Sequence, residues 1–149
     1  MKKLLLINLL LLASFIDLNA QVEYKIITSI ESIVPNGLGR SRLVSASEDR
    51  DYKEFTSERS EEDDSRNKAD RSDIRVKNFE ETKLLNFYNL GGIRFQNIAA
   101  NDAVVTSKIN TMIAEGWELA FVTSAVESDG GKEDGQGIFI TRYIFKRNK

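Results

Sequence analysis

Residues Ala114–Leu119 read AEGWEL, and the fold prediction begins with them. A helical pattern ends at Gly116, because glycine adopts the left-handed conformation that closes a helix without a steric penalty. Trp117 then begins an alternating apolar pattern, which predicts a strand. The six residues therefore predict a joint between a helix and a strand. Trp117 either belongs to a binding site or fixes the helix to the sheet, and the alternation favours the second interpretation.

The helix is predicted upstream of the joint, over Ala103–Glu115. Asn101 is the expected N-cap, and Asp102 suits the positive end of the helix dipole. Four apolar residues at i, i+4, i+7 and i+8 predict the face that packs against a sheet. These residues are Val105, Ile109, Met112 and Ile113. A stripe that binds a partner is the alternative, but a single helix beside a sheet normally places its stripe in the core.

Strands are predicted on both sides of the helix. After the joint, the alternation places Trp117, Leu119 and Phe121 on the helix-covered face. Near the N-terminus, VEYKIITSI (Val22–Ile30) also alternates, with two sets of side chains on opposite faces. One set is Tyr24, Ile26, Thr28 and Ile30, and the other is Glu23, Lys25, Ile27 and Ser29. The last segment, GIFITRYIFKR, is apolar on both faces, which indicates an internal strand of the sheet.

Glycine-rich and polar stretches predict the connections. Pro35-Asn36-Gly37 marks a turn, Gly91-Gly92 marks a bend between two short strands, and Ser128–Gly137 reads as a hairpin loop. The resulting fold class is α+β, a small antiparallel sheet of about four strands with one helix packed on one face. The other face retains apolar residues, which the insertion flanks or a second subunit are expected to cover. Ile27, Val122 and Ile138 are the residues expected there.

A charged insertion occupies approximately residues 45–81. Between Glu48 and Glu81, thirteen of thirty-four residues are acidic and eight are basic. Such a segment buries too little apolar surface to offset the entropy of ordering. We expect a partly disordered, solvated loop whose flanks, DYKEF and DIRVKNFEE, extend a long hairpin. An interaction arm or a weak calcium site is the alternative, although Glu61–Asp64 lacks the alternating ligand spacing of a calcium loop.

The first twenty residues have the order of an export signal. Lys2 and Lys3 precede an apolar run, and small residues precede Gln21. The run is shorter than the ~20 apolar residues of a membrane span. We therefore expect a signal peptide over 1–20, cleavage near Ala20-Gln21, a single domain over 21–149, a periplasmic or secreted location, and no stable membrane insertion after cleavage.

Three separated pieces of the chain resemble one family of small bacterial domains. They are VEYKIITSI near the start, INTMIAEGWELAFVTS around the joint, and RYIFKR near the end. Together they resemble the family catalogued as domain of unknown function 4177, with an added export signal and a long insertion. The resemblance covers about a third of residues 21–149. It implies a small sheet with one packed helix, and it implies no activity.

The composition excludes several kinds of chemistry. The chain has no His and no Cys, so Ser-His-Asp and Cys-His catalysis, disulfides and ordinary zinc sites are ruled out. No glycine-rich phosphate loop stands between a strand and a helix. The net charge of −2 and the lack of a basic stripe argue against nucleic acid as a partner. We accordingly predict no catalytic, cofactor-binding or metal-binding residues and no cofactor, and the composition argues against enzyme activity without deciding it.

Two hypotheses of function follow. The first is a non-catalytic binding or assembly module of the cell envelope, which contacts another protein or a second copy of itself through a sheet face or edge. The second is a carbohydrate-binding or carbohydrate-hydrolysing protein. Trp117, Phe121, Tyr143 and Phe145 would then stack on a sugar, and Glu115 and Glu118 would be the carboxylates beside it.

Overall fold

The computed structural model describes residues 21–32, 41–126 and 137–149. Seven strands and three helical segments follow one another in the described chain. They are β1 (Val22–Ser32), β2 (Arg42–Ala46), a 3-10 helix (Tyr52–Phe55), α1 (Arg71–Ile74), β3 (Phe79–Lys83), β4 (Tyr88–Asn89), β5 (Gly92–Ile93), α2 (Phe95–Ala114), β6 (Glu118–Val126) and β7 (Ile138–Asn148). The predicted α+β class is confirmed.

The main sheet has five strands in the order β3-β2-β1-β7-β6, and every neighbouring pair is antiparallel. The expectation of about four strands missed one, because β3 is a short strand within the charged region. The C-terminal strand β7 lies between β1 and β6, as its two apolar faces predict. β1 and β7 pair along eleven residues each and form the centre of the sheet.

The helix-to-strand joint has the predicted geometry. Gly116 adopts a φ of +85°, and the backbone N–H of Trp117 donates to the carbonyl of Met112 at 3.0 Å. The Trp117 side chain is only 6% exposed and belongs to the core between α2 and the sheet. Trp117 is therefore part of the packing that fixes the helix. The buried core consists of Ile27, Leu43, Leu84, Met112, Trp117 and Phe145, with Val104, Val105, Ile109, Leu119 and Tyr143 packed against it.

The helix begins earlier than its polar residues predict. α2 starts at Phe95 with Arg94 as N-cap, so Asn101 lies inside the helix, and its prediction as an N-cap is wrong. Asn101 is buried and makes three side-chain hydrogen bonds. Its Oδ1 accepts from the N–H of Leu85 at 2.7 Å, and its Nδ2 donates to the carbonyl of Leu85 and to Glu31 Oε1, both at 2.8 Å. The amide thereby ties the segment before β4 to the helix and to β1.

Two residues were assigned to the wrong face of the sheet from the alternating pattern. Ile27 was expected on the uncovered face, but it is buried in the core beneath α2. Val122 was expected there too, but it pairs with Tyr143, whose side chain packs against the core. Alternation shows which residues share a face and does not show which face the helix covers. Ile138 pairs with Ser32, which lies on the same face of β1 as Tyr24 and Ile26. Ile138 therefore lies on the face opposite the helix, as predicted.

A β-bulge in β6 changes the position of Phe121. Leu119 pairs with Phe145, whereas Phe121 pairs with Ile144, so Ala120 is an extra residue in the strand. The bulge turns Phe121 away from the helix, and the prediction that it lies on the helix-covered face is wrong. The apolar stripe of α2 also ends earlier than predicted. Val105, Ile109 and Met112 pack inward, but Ile113 is exposed.

The charged insertion combines regular and irregular parts. Its two ends form the antiparallel strands β2 and β3, in which Ala46 pairs with Phe79 and Arg42 pairs with Lys83. This confirms a hairpin. The DYKEF flank forms the 3-10 helix instead of extending that hairpin. Gly92, with a φ of +94°, turns the chain between β4 and β5, as the glycine pair predicts. The expected disorder of the insertion stays a prediction.

Several expectations lie outside the described residues. They concern the signal at 1–20, the turn at Pro35–Gly37 and most of the loop at Ser128–Gly137. Within the described ranges, none of the helices has the length and apolar character needed to cross a bilayer.

Candidate functional site

The uncovered face of the sheet has an apolar row that runs across the strands. Ile26 pairs with Ile144, and Ile144 pairs with Phe121. On the other side of β1, the pairing of Ile27 with Ser45 places the next residue of β2, Ala46, opposite Ile26. Ala46 in turn pairs with Phe79 on β3. Because directly paired residues share a face, the row crosses all five strands. We call this set the transverse row; its residues are Phe79, Ala46, Ile26, Ile144 and Phe121.

The transverse row is open to solvent at its centre and at both ends. Phe121 is 69% exposed, Phe79 is 51% exposed and Ile26 is 49% exposed. Tyr24 lies next to Ile26 on the same face and is 62% exposed. Apolar side chains scattered singly over a surface are normal, whereas a contiguous apolar row that is exposed at its centre and both ends is a candidate interaction surface.

Charged residues border the transverse row on both sides. On one side, Lys146 pairs across the sheet with Tyr24 and with Glu118, and its Nζ lies 3.3 Å from the Glu118 carboxylate. On the other side, Arg142 lies two residues before Ile144 on β7, and Glu81 lies two residues after Phe79 on β3. Charged residues therefore flank the transverse row, and further apolar residues of the same face, Ile30, Ile140 and Ile138, lie beyond Arg142.

A second concavity lies at the end of the sheet beside the joint. It has a volume of about 310 Å³ and is mostly polar. The Arg147 guanidinium lies 4.2 Å from the centre of the Trp117 ring and 2.9 Å from a carboxylate oxygen of Glu23. Arg147 thus covers the accessible part of the indole while its own charge is paired. The groove is lined by Glu23, Tyr24, Lys25, Ala46, Ser47, Asp49, Glu115, Trp117 and Arg147.

The residues of the carbohydrate hypothesis do not form one site. Trp117 is buried beneath Arg147, Phe145 is fully buried, and Phe121 lies on the opposite face of the sheet. Glu118 lies on the uncovered face with Lys146, whereas Glu115 lines the groove beside the joint. An aromatic platform needs exposed ring faces, so the geometry removes the observation on which this hypothesis rested.

The lowered pKa values of Glu80 and Glu48 come from hydrogen bonds and ion pairs that connect parts of the fold. The hydrogen bond and the charge of Lys108 lower the pKa of Glu80, and the two groups lie 2.7 Å apart across α2 and β3. A hydrogen bond from Arg50 lowers the pKa of Glu48, which also accepts from Asn78. Within residues 21–32, 41–126 and 137–149, no group of three or more potential ligands is placed to hold a metal ion.

Only part of the transverse row is evident from the sequence. The alternation of β1 placed Tyr24 and Ile26 on one face, although that face was not recognised as the open one. Phe79 was treated as part of a charged flank, and Phe121 was assigned to the core. Both reached the row through cross-strand registers and a bulge, which no pattern within a single strand reveals.

Comparisons with protein-family models, with curated proteins and with solved structures found no match to this chain.

Proposed function

We propose that this protein is a non-catalytic assembly module of the cell envelope, and that the transverse row is its docking surface. The observation that carries the proposal is the apolar row across the five-stranded sheet, which is exposed at its centre and at both ends. The partner surface is expected to be a flat apolar patch of protein with charges at its border. The export-type N-terminus supports a location in the envelope.

The energetics favour burial of the row. Ile26, Phe79 and Phe121 each expose about half or more of their side chains. Burying such a side chain stabilises a complex by about 1.5–3 kcal/mol at most. Strand pairing already fixes the backbone of these residues, so the ordering cost on binding is mainly that of their side chains, about 0.5–1.5 kcal/mol each. A rigid apolar surface of this kind suits binding better than catalysis, which requires polar groups placed around a reacting atom.

Site-specific photocrosslinking tests the proposal in cells. A benzoyl-phenylalanine residue at Phe121 keeps the aromatic ring and reports every protein that contacts the transverse row. The matched control is the same substitution at Val122, the next residue on β6. Val122 is also exposed, at 53%, but it lies on the helix side of the sheet.

The proposal requires a defined adduct from position 121 and a weak or absent adduct from position 122. The adduct must also disappear when Ile26, the central residue of the row, is replaced by Asp. Equal labelling from both positions, or no adduct from position 121, would show that the transverse row is not a docking surface.

A further inference from the structure

We infer that the partner of the transverse row is a second copy of this chain, related by a two-fold axis parallel to β1 and centred on Ile26. This inference rests on the proposed function, since it names the occupant of the proposed docking surface. It depends on which apolar and charged residues of the uncovered face meet when a two-fold rotation places one copy of the face against another.

The row is close to symmetric about its centre. β1 is the middle strand, and Ile26 is the middle residue of the row. Rotation about an axis along β1 places Ile26 against Ile26 of the partner subunit. The same rotation places Phe121 of one copy against Phe79 of the partner subunit, and Ile144 against Ala46 of the partner subunit. Large residues therefore meet at the two ends and at the centre, and a large residue faces a small one in between.

The charged border selects this axis among the simple alternatives. An axis along the row, across the strands, would place Lys146 against Arg142 of the partner subunit. An axis along β7 would place Arg142 against Arg142 of the partner subunit. Like charges that face each other across an interface are unfavourable. The axis along β1 avoids both contacts.

The axis along β1 also supplies a favourable contact for Arg142. It places Arg142 over Val44 of the partner subunit, one strand away from Glu81 of the partner subunit and two residues along β2 from Arg42 of the partner subunit, whose charge that Glu81 carboxylate pairs. The Glu81 carboxylate already lies 2.6 Å from Arg42 in its own chain. In the dimer it lies between two guanidinium groups, which can both donate to its two oxygens.

The size of the face fits a dimer of modest affinity. The five strands contain 41 residues. At about 3.3 Å per residue and about 4.8 Å between strands, the face measures about 650 Å². A standard interface buries about 800 Å² on each partner. The face is therefore somewhat smaller than a standard interface, and we expect a reversible dimer whose population rises with protein concentration.

Cysteine cross-linking tests the axis. The chain has no native cysteine, so each variant carries a single thiol. Sheets that pack face to face lie about 10 Å apart, too far for a direct disulfide, so a short bis-maleimide joins the thiols. The protein is expressed from its full sequence, purified, and cross-linked at concentrations at which sedimentation shows the dimer.

The expected pattern is specific to the proposed axis. Ile26→Cys links to itself. Phe121→Cys does not link to itself, because its two copies lie about 19 Å apart across four strand spacings. An equal mixture of Phe121→Cys and Phe79→Cys gives a mixed dimer. Self-linking by Phe121→Cys, or no linking by Ile26→Cys in a sample that sediments as a dimer, overturns the inference.

Sedimentation of substituted chains separates this inference from the proposed function. Phe121→Asp is expected to raise the dissociation constant at least about tenfold, and Val122→Asp is expected to change it less than about twofold. A monomer at every concentration overturns the dimer. If position 121 still photocrosslinks to a different protein, the docking surface stands and only the identity of its partner is wrong.

Discussion

Replacing Asn101 by Ala is expected to destabilise the fold although it creates a better helix former. The substitution removes three hydrogen bonds of 2.7–2.8 Å, to the N–H and the carbonyl of Leu85 and to Glu31. At about 1 kcal/mol of net stability each, they contribute about 3 kcal/mol. Alanine recovers about 0.6 kcal/mol through its helix propensity. The expected loss in the free energy of unfolding is therefore about 2 kcal/mol.

The single tryptophan provides the assay. Trp117 is buried at the joint, so its fluorescence reports the separation of α2 from the sheet during urea unfolding. The loss is expected as a lower midpoint with an unchanged dependence on urea, and as a fall of about 8 °C in Tm. Asn110→Ala is the matched control, because Asn110 is exposed on the same helix. It is expected to stabilise the protein by about 0.5 kcal/mol through propensity alone.

A second substitution separates the donors from the acceptor. Asn101→Asp keeps an oxygen for the N–H of Leu85, loses both donated bonds, and places a carboxylate beside Glu31. It is expected to be less stable than Asn101→Ala at neutral pH and to recover part of that stability in acid, where the carboxyls are protonated. If Asn101→Ala behaves like Asn110→Ala, the three bonds do not stabilise the fold and the reasoning is refuted.

Three further changes test the joint, the core face and the helix-to-sheet ion pair. Gly116→Ala is expected to lower stability by about 1 kcal/mol, because the φ of +85° is strained for alanine although no atom lies within 4 Å of the added Cβ; an unchanged urea midpoint would contradict this. Ile109→Asp is expected to unfold the domain, and a variant that stays folded by circular dichroism would show that this face is not core. Interaction with Lys108 lowers the pKa of Glu80, so its contribution is present above the ordinary value of 4.5 and is lost as pH falls through the folded pKa. Glu80→Gln is therefore expected to flatten the dependence of the urea midpoint on pH in that acidic range. The effect is expected to be small and to decrease with added salt, because Glu80 is largely exposed. An unchanged pH dependence would show that the pair does not contribute.

The local features of the fold follow from short-range patterns in the amino-acid sequence. The helix end at Gly116, the turn at Gly91-Gly92, the internal position of β7 and the burial of Trp117 were all predicted and are confirmed. Each depends on a rule that acts over a few residues, such as the conformational freedom of glycine or the period of a strand. The resemblance to the family of domains of unknown function and the expected export remain predictions.

Which residues point inward and which reach the transverse row depends on contacts between distant parts of the chain. The pattern of β1 is equally consistent with a helix over Ile27 or over Ile26, and packing against Met112 and Phe145 makes the choice. The bulge at Ala120 moves Phe121 to the open face, because the register of β6 is fixed by its pairing with β7. Asn101 reads as a cap by residue type, but tertiary contacts use its amide inside the helix. These outcomes depend on residues far apart in the chain, which a local pattern does not bring together.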